Sequence, residues 1–407
     1  MTEMLRCLLP HLDKHLALGL LYFYDEQGLD VADALRAVQA TTALTAEGEV
    51  SVEQERKIKE TAQRARPALD EFFEKSETEN STYQFKLTGS EIDALRSNRE
   101  LSRDVLEAKG ITSNVMKAVM ELAYLYYDAA RYTDASELLS LCQCVVGYEI
   151  DQRTLLWGKL VSDMCTCNWP SAIAAAEKLR RQQNADVFEE DIFRVANTTT
   201  TRERAWLLHW VLFPFFKGGN QYSTHLLNFV FDIKTNFVYQ SVVETVCPHY
   251  LRYICAAAIL NKQRRSALRS AAAMVLNVYE YSDPITQLVN AIVNRQSFED
   301  ALALLPEVKS TALGDYFLSL HANEILENAR RLIFARYMMT HGVVSIPYVA
   351  EKLGTRTADA EVWLANLISE TKQRAKIDSV SEQMVVSSQA RSVHQTVLDK
   401  LEVVDRR

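Results

Sequence analysis

The apolar residues between positions 115 and 127 constrain this chain more than any other feature. Val115, Val119, Leu122 and Tyr126 recur at i, i+4, i+7 and i+11, which places them on one face of a helix. Met116, Met120, Ala123 and Tyr127 form a second apolar row beside the first. A helix apolar over so wide an arc must be covered by neighbours on more than one side. Composition points the same way. The 407 residues include only 12 glycines and 8 prolines, too few to supply the positive-φ positions and turn starters of a strand-rich chain. Ala, Leu, Glu, Gln and Arg, all good helix formers, take their place. The sequence predicts an all-α protein.

Its length allows two to four domains. With 48% hydrophobic and 24% charged residues, the chain reads as soluble and globular. A net charge of -8 argues against bulk nucleic-acid binding, which needs a basic face to meet phosphates. Seven cysteines, an odd number, do not read as a disulfide framework and suit a reducing compartment. No basic segment followed by an apolar stretch and a cleavage site opens the chain. The most apolar run, Ala205 to Phe216, contains His209 and Pro214 and is well short of the ~20 residues that span a bilayer. A buried helix is predicted there, and a cytoplasmic location for the protein.

Segment 51–75 carries six acidic and six basic residues, and Pro67 interrupts its periodicity. It is expected to be an exposed, ion-pair-laced helix rather than core. Residues 184–201, with Asn197 and four consecutive threonines, are expected to form a loop or an insertion. One pattern repeats. Tyr132, Trp169 and Phe298 are each followed three residues later by alanine (Ala135, Ala172, Ala301) and then by leucine-rich sequence. An aromatic at an inter-helix turn plugs the gap between antiparallel helices, and the alanine lets their backbones approach. These are the mechanics of a TPR/HEAT-like helical-repeat solenoid, although chance in an Ala-rich helical chain would also produce such copies.

From Gly342 the pattern changes. Val343 to Pro347 is short and β-branched, Tyr348–Leu353 makes a short helix ended by Gly354, and Thr357 caps the next helix. Residues 375–378 and 383–387 are two strand candidates. The order of helix, strand, helix, helix, strand, strand predicts a winged-helix module. After it, Val393, Val397, Leu401 and Val404 fall at spacings of 4, 4 and 3, the apolar stripe of a C-terminal helix. That stripe would either fold back on its own winged helix or enter a bundle of partner helices.

No Walker loop, dinucleotide-binding glycine fingerprint or nucleophile elbow occurs, so no catalytic residue and no cofactor site is assigned. His11 and His15 have zincin spacing but lack the glutamate base and a third ligand. Cys142/Cys144 and Cys165/Cys167 are i, i+2 pairs, which point apart on a helix; neither is assigned as a metal site. The second helix of the winged module opens with Asp359 and Glu361, and residues 343–386 carry five basic against six acidic groups. A protein–protein role is therefore expected rather than direct DNA readout. Lys262, Arg264, Arg265 and Arg269 form a basic cluster, read as a solvated loop or as a contact with an RNA surface.

Helical repeats ending in a non-basic winged helix resemble the PCI family, which builds the proteasome lid, the signalosome and eukaryotic translation initiation factor three. Particular segments resemble the e-type subunits of the last. They are Leu12 to Leu16, Leu156-Trp157-Gly158-Lys159-Leu160 with Asn168-Trp169, and Arg204-Ala205-Trp206-Leu207-Leu208-His209-Trp210. Cys247-Pro248-His249, Leu251-Arg252-Tyr253, Asp283 to Thr286, Glu327 to Arg330, Ala360-Glu361 with Trp363, and Ala375 to Ser379 join them. The resemblance runs from about residue 110 to 387, whereas segments 25–110 and 184–201 depart from the family. It implies a PCI domain, a non-catalytic scaffold role in pre-initiation complex assembly and binding to the small ribosomal subunit. It also implies neighbours among the a, c, l and d subunits, and a C-terminal stripe (Val393, Val397, Leu401, Val404) that joins a helical bundle. The expected division is 1–110, N-terminal helices with a charged helix; 111–341, helical repeats; 342–387, winged helix; and 388–407, C-terminal helix. A sister subunit of the proteasome lid or signalosome would share this fold, and only the tryptophan-rich segments discriminate. A free-standing winged-helix nucleic-acid binder would instead show steep salt dependence on bare RNA.

Overall fold

A computed structural model describes residues 3–40, 52–75, 83–86, 103–145, 148, 151–189, 198–219, 223–232, 238–261, 265–371 and 375–386. Its helices fall into two compact units, Met1–Tyr250 and Leu251–Arg407, a boundary inside the stretch 111–341. No helix among the described residues is long and apolar enough to cross a membrane.

The first unit opens with α1 (Glu3–Leu8), a 3-10 turn (Leu9–His11), α2 (Lys14–Glu26) and α3 (Ala32–Gln39). The helix α4 (Val52–Phe72) and a two-stranded sheet, β1 (Phe73–Lys75) and β2 (Tyr83–Phe85), precede the short α5 (Arg103–Ala108). Then α6 (Ser113–Asp128), α7 (Tyr132–Cys144), α8 (Gln152–Cys165) and α9 (Trp169–Glu189) each pack on the next. The unit closes with α10 (Thr198–Trp210), α11 (Leu212–Lys217), α12 (Ser223–Val230), α13 (Val238–Thr245) and a 3-10 turn (Pro248–Tyr250). As the double apolar row of α6 requires, that helix lies between α4 and α7, with Met116, Val119, Leu122, Ala123 and Tyr126 buried.

Tyr132, Trp169 and Phe298 are each the first residue of a helix. Ala135, Ala172 and Ala301 are each buried. All three copies have the geometry of a helical-repeat turn. The expectations for the irregular stretches fare differently. Pro67 does not break α4, which runs through it. One face of α4 carries exposed ion pairs such as Lys57–Glu53 and Arg56–Glu60. Its other face buries Ala65, Ala68, Leu69 and Phe72 in the core shared with α6. Burial of two such large side chains outweighs one missing backbone donor, since each contributes about 2 kcal/mol. The stretch 184–201 is also more helical than expected, because α9 reaches Glu189 and the four threonines begin α10. The run 205–216 is buried apart from the half-buried Trp206 and Trp210, and it is interrupted at Val211 between α10 and α11. Pro214 inside it has no N–H to continue the first helix.

The second unit begins with α14 (Leu251–Leu260), α15 (Arg265–Asn277) and α16 (Pro284–Asn290). A π turn (Ala291–Arg295), α17 (Phe298–Leu313) and α18 (Ala322–Thr340) follow. Then β3 (Val343–Ser345), α19 (Ile346–Leu353), α20 (Thr357–Thr371), β4 (Ala375–Asp378) and β5 (Gln383–Val386) make the winged helix. Its antiparallel sheet has the order β3-β5-β4. Gly354, at φ 68, turns the chain out of α19, a left-handed position that glycine adopts without steric cost. Val344, Met384, Val349, Leu364 and Leu367 fill the module's core with Phe334 and Met338 of α18. The module thus packs on the last long helix of the repeats.

Candidate functional site

Several of the segments that stand out in the sequence are internal latches between neighbouring elements. In the first unit, Gly158 of α8 faces α7 so closely that a Cβ would lie 3.3 Å from Leu139 Cδ1. The next residue, Lys159, is buried and ion-pairs with Asp163 at 3.0 Å. Its Nζ also donates to Ser136 Oγ at 2.6 Å. Asp163 in turn accepts from the hydroxyls of Ser136 and Ser171, both at 2.6 Å. Trp157 meets Trp210 edge-on, with ring centroids 4.7 Å apart.

Trp210 donates its indole N–H to the carbonyl of His11 at 2.9 Å and so ties the first 3-10 turn to α10. Beside it, His209 is fully buried. Its Nδ1 donates to the Ala205 carbonyl at 2.6 Å, which leaves Nε2 to accept from His249 Nε2 at 2.8 Å. His11 stacks on His209 at 4.3 Å, with 15° between the planes. Burial, then the neighbouring His249 and His11, hold the His209 imidazole well below its ordinary pKa. Burial and then Arg202 lower that of His11. One ion cannot lie in the planes of two stacked imidazoles, and among the described residues no group of three or more His, Cys, Asp or Glu is arranged to hold a metal. Burial pushes Cys142, Cys165 and Cys247 up to about 12, which keeps these thiols protonated.

His11 and His15, despite their zincin spacing, do not share a helix. His11 ends a 3-10 turn, and Asp13 caps α2 by accepting the His15 N–H at 2.9 Å. The cap residue starts a new helix between them. His15 is buried, with its Nδ1 2.9 Å from the Tyr132 hydroxyl. Trp206 and Trp210 are half-buried, and the deepest residues of α10 are Ala205, Leu207, Leu208 and His209.

In the second unit, Arg252 Nε bonds Asp283 at 2.8 Å, and its Nη1 bonds Asp315 at 3.1 Å. Asp283 also caps α16 in a reciprocal box with Thr286. Asp315 takes the Tyr253 hydroxyl at 3.1 Å; burial raises its pKa against the opposing pull of Arg252. On α18, Glu327 accepts the indole N–H of Trp363 at 2.9 Å and pairs with Arg331. Arg331 reaches on to Glu370 with two bonds of 3.0 Å, so three charged residues fasten α20 to α18.

Exposed groups are therefore the candidates for function. On the winged helix, Val343 and Val385 are cross-strand partners and are 54% and 46% exposed. Val362 and Val380 are exposed as well, and Arg356 is engaged by Asp359 at 2.9 Å. Of the basic cluster, Arg269 is exposed on α15, whereas Lys262, Arg264 and the side chain of Arg265 lie outside the described residues. So do Val393, Val397, Leu401 and Val404. Exposed Leu276 and Tyr279, at and beyond the end of α15, carried no signal in the sequence, because their spacing matches that of buried neighbours.

The PCI domain family model matches residues 302–388, from within α17 to just past β5. Curated relatives extend the match into the repeats. The E-type subunit of eukaryotic translation initiation factor 3 from Aedes aegypti is 28% identical over 312 residues, 76% of this chain and 69% of the relative. Its Bombyx mori counterpart is 31% identical over 291 residues, 71% of this chain and 64% of its own length. That of Anopheles gambiae is 30% identical over 305 residues, 74% of this chain and 68% of the relative. With its helical repeats, its winged helix and this extent of similarity, the chain belongs to the family of E-type subunits of eukaryotic translation initiation factor 3.

Proposed function

We propose that the chain is a non-catalytic scaffold of initiation factor 3, working in the cytoplasm and supporting pre-initiation complex assembly on the small ribosomal subunit. Its working parts follow the division into 1–110, the repeats of 111–341, the winged helix of 342–387 and the C-terminal segment 388–407. Side-by-side contacts of the winged helix hold neighbouring PCI subunits, among them the a, c, l and d types. The stripe Val393, Val397, Leu401 and Val404 enters a bundle of helices from those neighbours. The basic residues Lys262, Arg264, Arg265 and Arg269 face ribosomal RNA.

One observation carries this reading. The distinctive polar and aromatic residues, Lys159, Trp210, His209, Arg252, Glu327 and Trp363, are spent on holding elements of the fold together, while the winged helix leaves Val343 and Val385 uncovered on its sheet. Rigid internal latches with apolar exposure suit a part that is itself held by others. The test is affinity purification of the tagged full chain from cell extract. Recovery of small-subunit proteins with the other initiation factor 3 subunits is the expected result. Recovery of proteasome subunits instead would overturn it.

A further inference from the structure

We propose that Ser266 accepts a phosphoryl group from a protein kinase that selects basic sequence, and that the phosphate releases this chain from ribosomal RNA. The inference rests on the reading that Lys262, Arg264, Arg265 and Arg269 face that RNA, and it adds a modification site that controls the contact. Sequence gives the first reason. Ser266 follows Lys262, Arg264 and Arg265 and precedes Arg269, and from Lys262 to Tyr279 the chain carries these four cations and no carboxylate. A kinase selects its acceptor largely through the charge pattern of the flanking residues. Basic side chains on both sides match an acidic substrate groove, and no acid nearby in sequence opposes it.

The structure presents that serine to solvent. The helix α15 buries Ala267, Ala271, Ala272 and Met274. Its outward face carries Ser266, Arg269 and Ala273, all exposed. Ser266 is the second residue of the helix, and its hydroxyl has no hydrogen-bond partner among the described residues. Ser270, the other serine of α15, differs on both counts. It is half-buried, and its hydroxyl donates to the Ser266 carbonyl at 3.2 Å. Of the two serines beside the basic residues, only Ser266 offers a kinase an accessible and uncommitted hydroxyl.

The reaction moves the γ-phosphoryl group of ATP. Its bond to the bridging oxygen of ADP breaks, a bond to Ser266 Oγ forms, ADP leaves, and the hydroxyl proton passes through the kinase's base to solvent. The product carries a charge of about −1.5 to −2 at pH 7, enough to cancel about two of the four cations. Arg269, one turn along the same face, stands at the i, i+3 position of an ion pair with the phosphate. Negative charge in the first turn of a helix is favourable, so α15 stays folded. What changes is the surface, which keeps fewer uncompensated cations for RNA phosphates.

Two measurements test this. In the first, cell extract kept in phosphatase inhibitors is separated on a sucrose gradient, and Ser266 is mapped by mass spectrometry. Phosphate should be present in the free pool of initiation factor 3 and depleted on small ribosomal subunits. Its absence from both pools, or its enrichment on the subunits, overturns the proposal. In the second, the full chain carrying phosphoserine in place of Ser266 is titrated with small-subunit rRNA across a salt series. Its affinity should fall at least about tenfold at low salt, and the slope of log K against log salt should become shallower by about two. Ser266→Ala should keep the parent's slope, and the phosphoserine chain should melt with the parent. Equal slopes with and without phosphate overturn the proposal, as does early melting of the phosphoserine chain, because the loss would then come from unfolding. A chain with Lys262→Ala, Arg264→Ala, Arg265→Ala and Arg269→Ala separates the two readings. If it binds as the parent does, the rRNA contact fails and takes this proposal with it. If it binds more weakly while phosphate changes nothing, only the proposal fails.

Discussion

Single residues in this protein matter chiefly through what they let two helices do. His209 is the clearest case, because its ring is neutral, fully buried and bonded at both nitrogens. His11, His249 and Arg202 are the groups that face it or its stacked neighbour, and each can only add positive charge. Once unfolded, His209 titrates near ~6.5, so below that pH the unfolded chain binds more protons than the folded one. Stability contributed by the neutral stack is therefore present above about pH 6.5 and lost as pH falls beneath it. Urea unfolding of the first unit should show a midpoint that drops between pH 7.5 and pH 5.5. His209→Phe should be less stable at neutral pH but have a shallower drop; an identical slope in both proteins would refute the assignment. Gly158 makes a steric prediction. With Leu139 Cδ1 only 3.3 Å from a would-be Cβ and the Tyr124 ring at 3.7 Å, Gly158→Leu has no space to occupy. Overpacking of this kind costs about 1–3 kcal/mol, so the melting temperature should fall. A melt at or above the parent value would mean that α7 and α8 separate freely.

At the scale of elements, the latches explain which parts of the fold were legible in the sequence. The double apolar row of α6, the aromatic-then-alanine helix starts and the order of elements in the winged helix all follow from periodicity and turn chemistry, which are local. The buried face of α4 was not legible, because its charge content is that of a solvated helix and only the approach of α6 shows what Leu69 and Phe72 are for. The histidine stack was equally hidden. His11, His209 and His249 lie far apart in sequence, and no spacing rule relates them. Their segments stood out for composition alone, and the structure supplies the reason: a polar contact fixes where the N-terminal turn docks on α10. Trp210→Phe keeps most of the ring but removes the N–H that the His11 carbonyl accepts. A neutral hydrogen bond of this kind contributes about 1 kcal/mol. Hydrogen exchange in residues 3–12 should therefore rise several-fold, with little change in α6 to α8. Uniform loosening of the whole unit would show that Trp210 supports the core and not the docking.

For the molecule as a whole, the sharpest test of the proposed scaffold role falls on residues 388–407. Their spacing predicts one apolar stripe, Val393, Val397, Leu401 and Val404, and they follow directly on β5, whose neighbour β3 leaves Val343 exposed. A helix of ~15 residues is marginal in water by itself, so the stripe needs cover. The two proposals for that cover are its own winged helix and the helices of other subunits. The two differ in what deletion removes. If the stripe serves other subunits, a chain lacking residues 388–407 should melt within a degree or two of the parent yet no longer co-purify with the complex. Val397→Asp with Leu401→Asp should behave alike, because two unpaired charges are far costlier in an apolar interface than in solvent. If the stripe covers its own winged helix, both variants should melt early, with Val344 and Met384 losing protection in hydrogen exchange. They should still assemble at temperatures where they remain folded. Measuring melt and assembly on the same preparations separates the outcomes, since local packing couples the two losses and a partner bundle uncouples them.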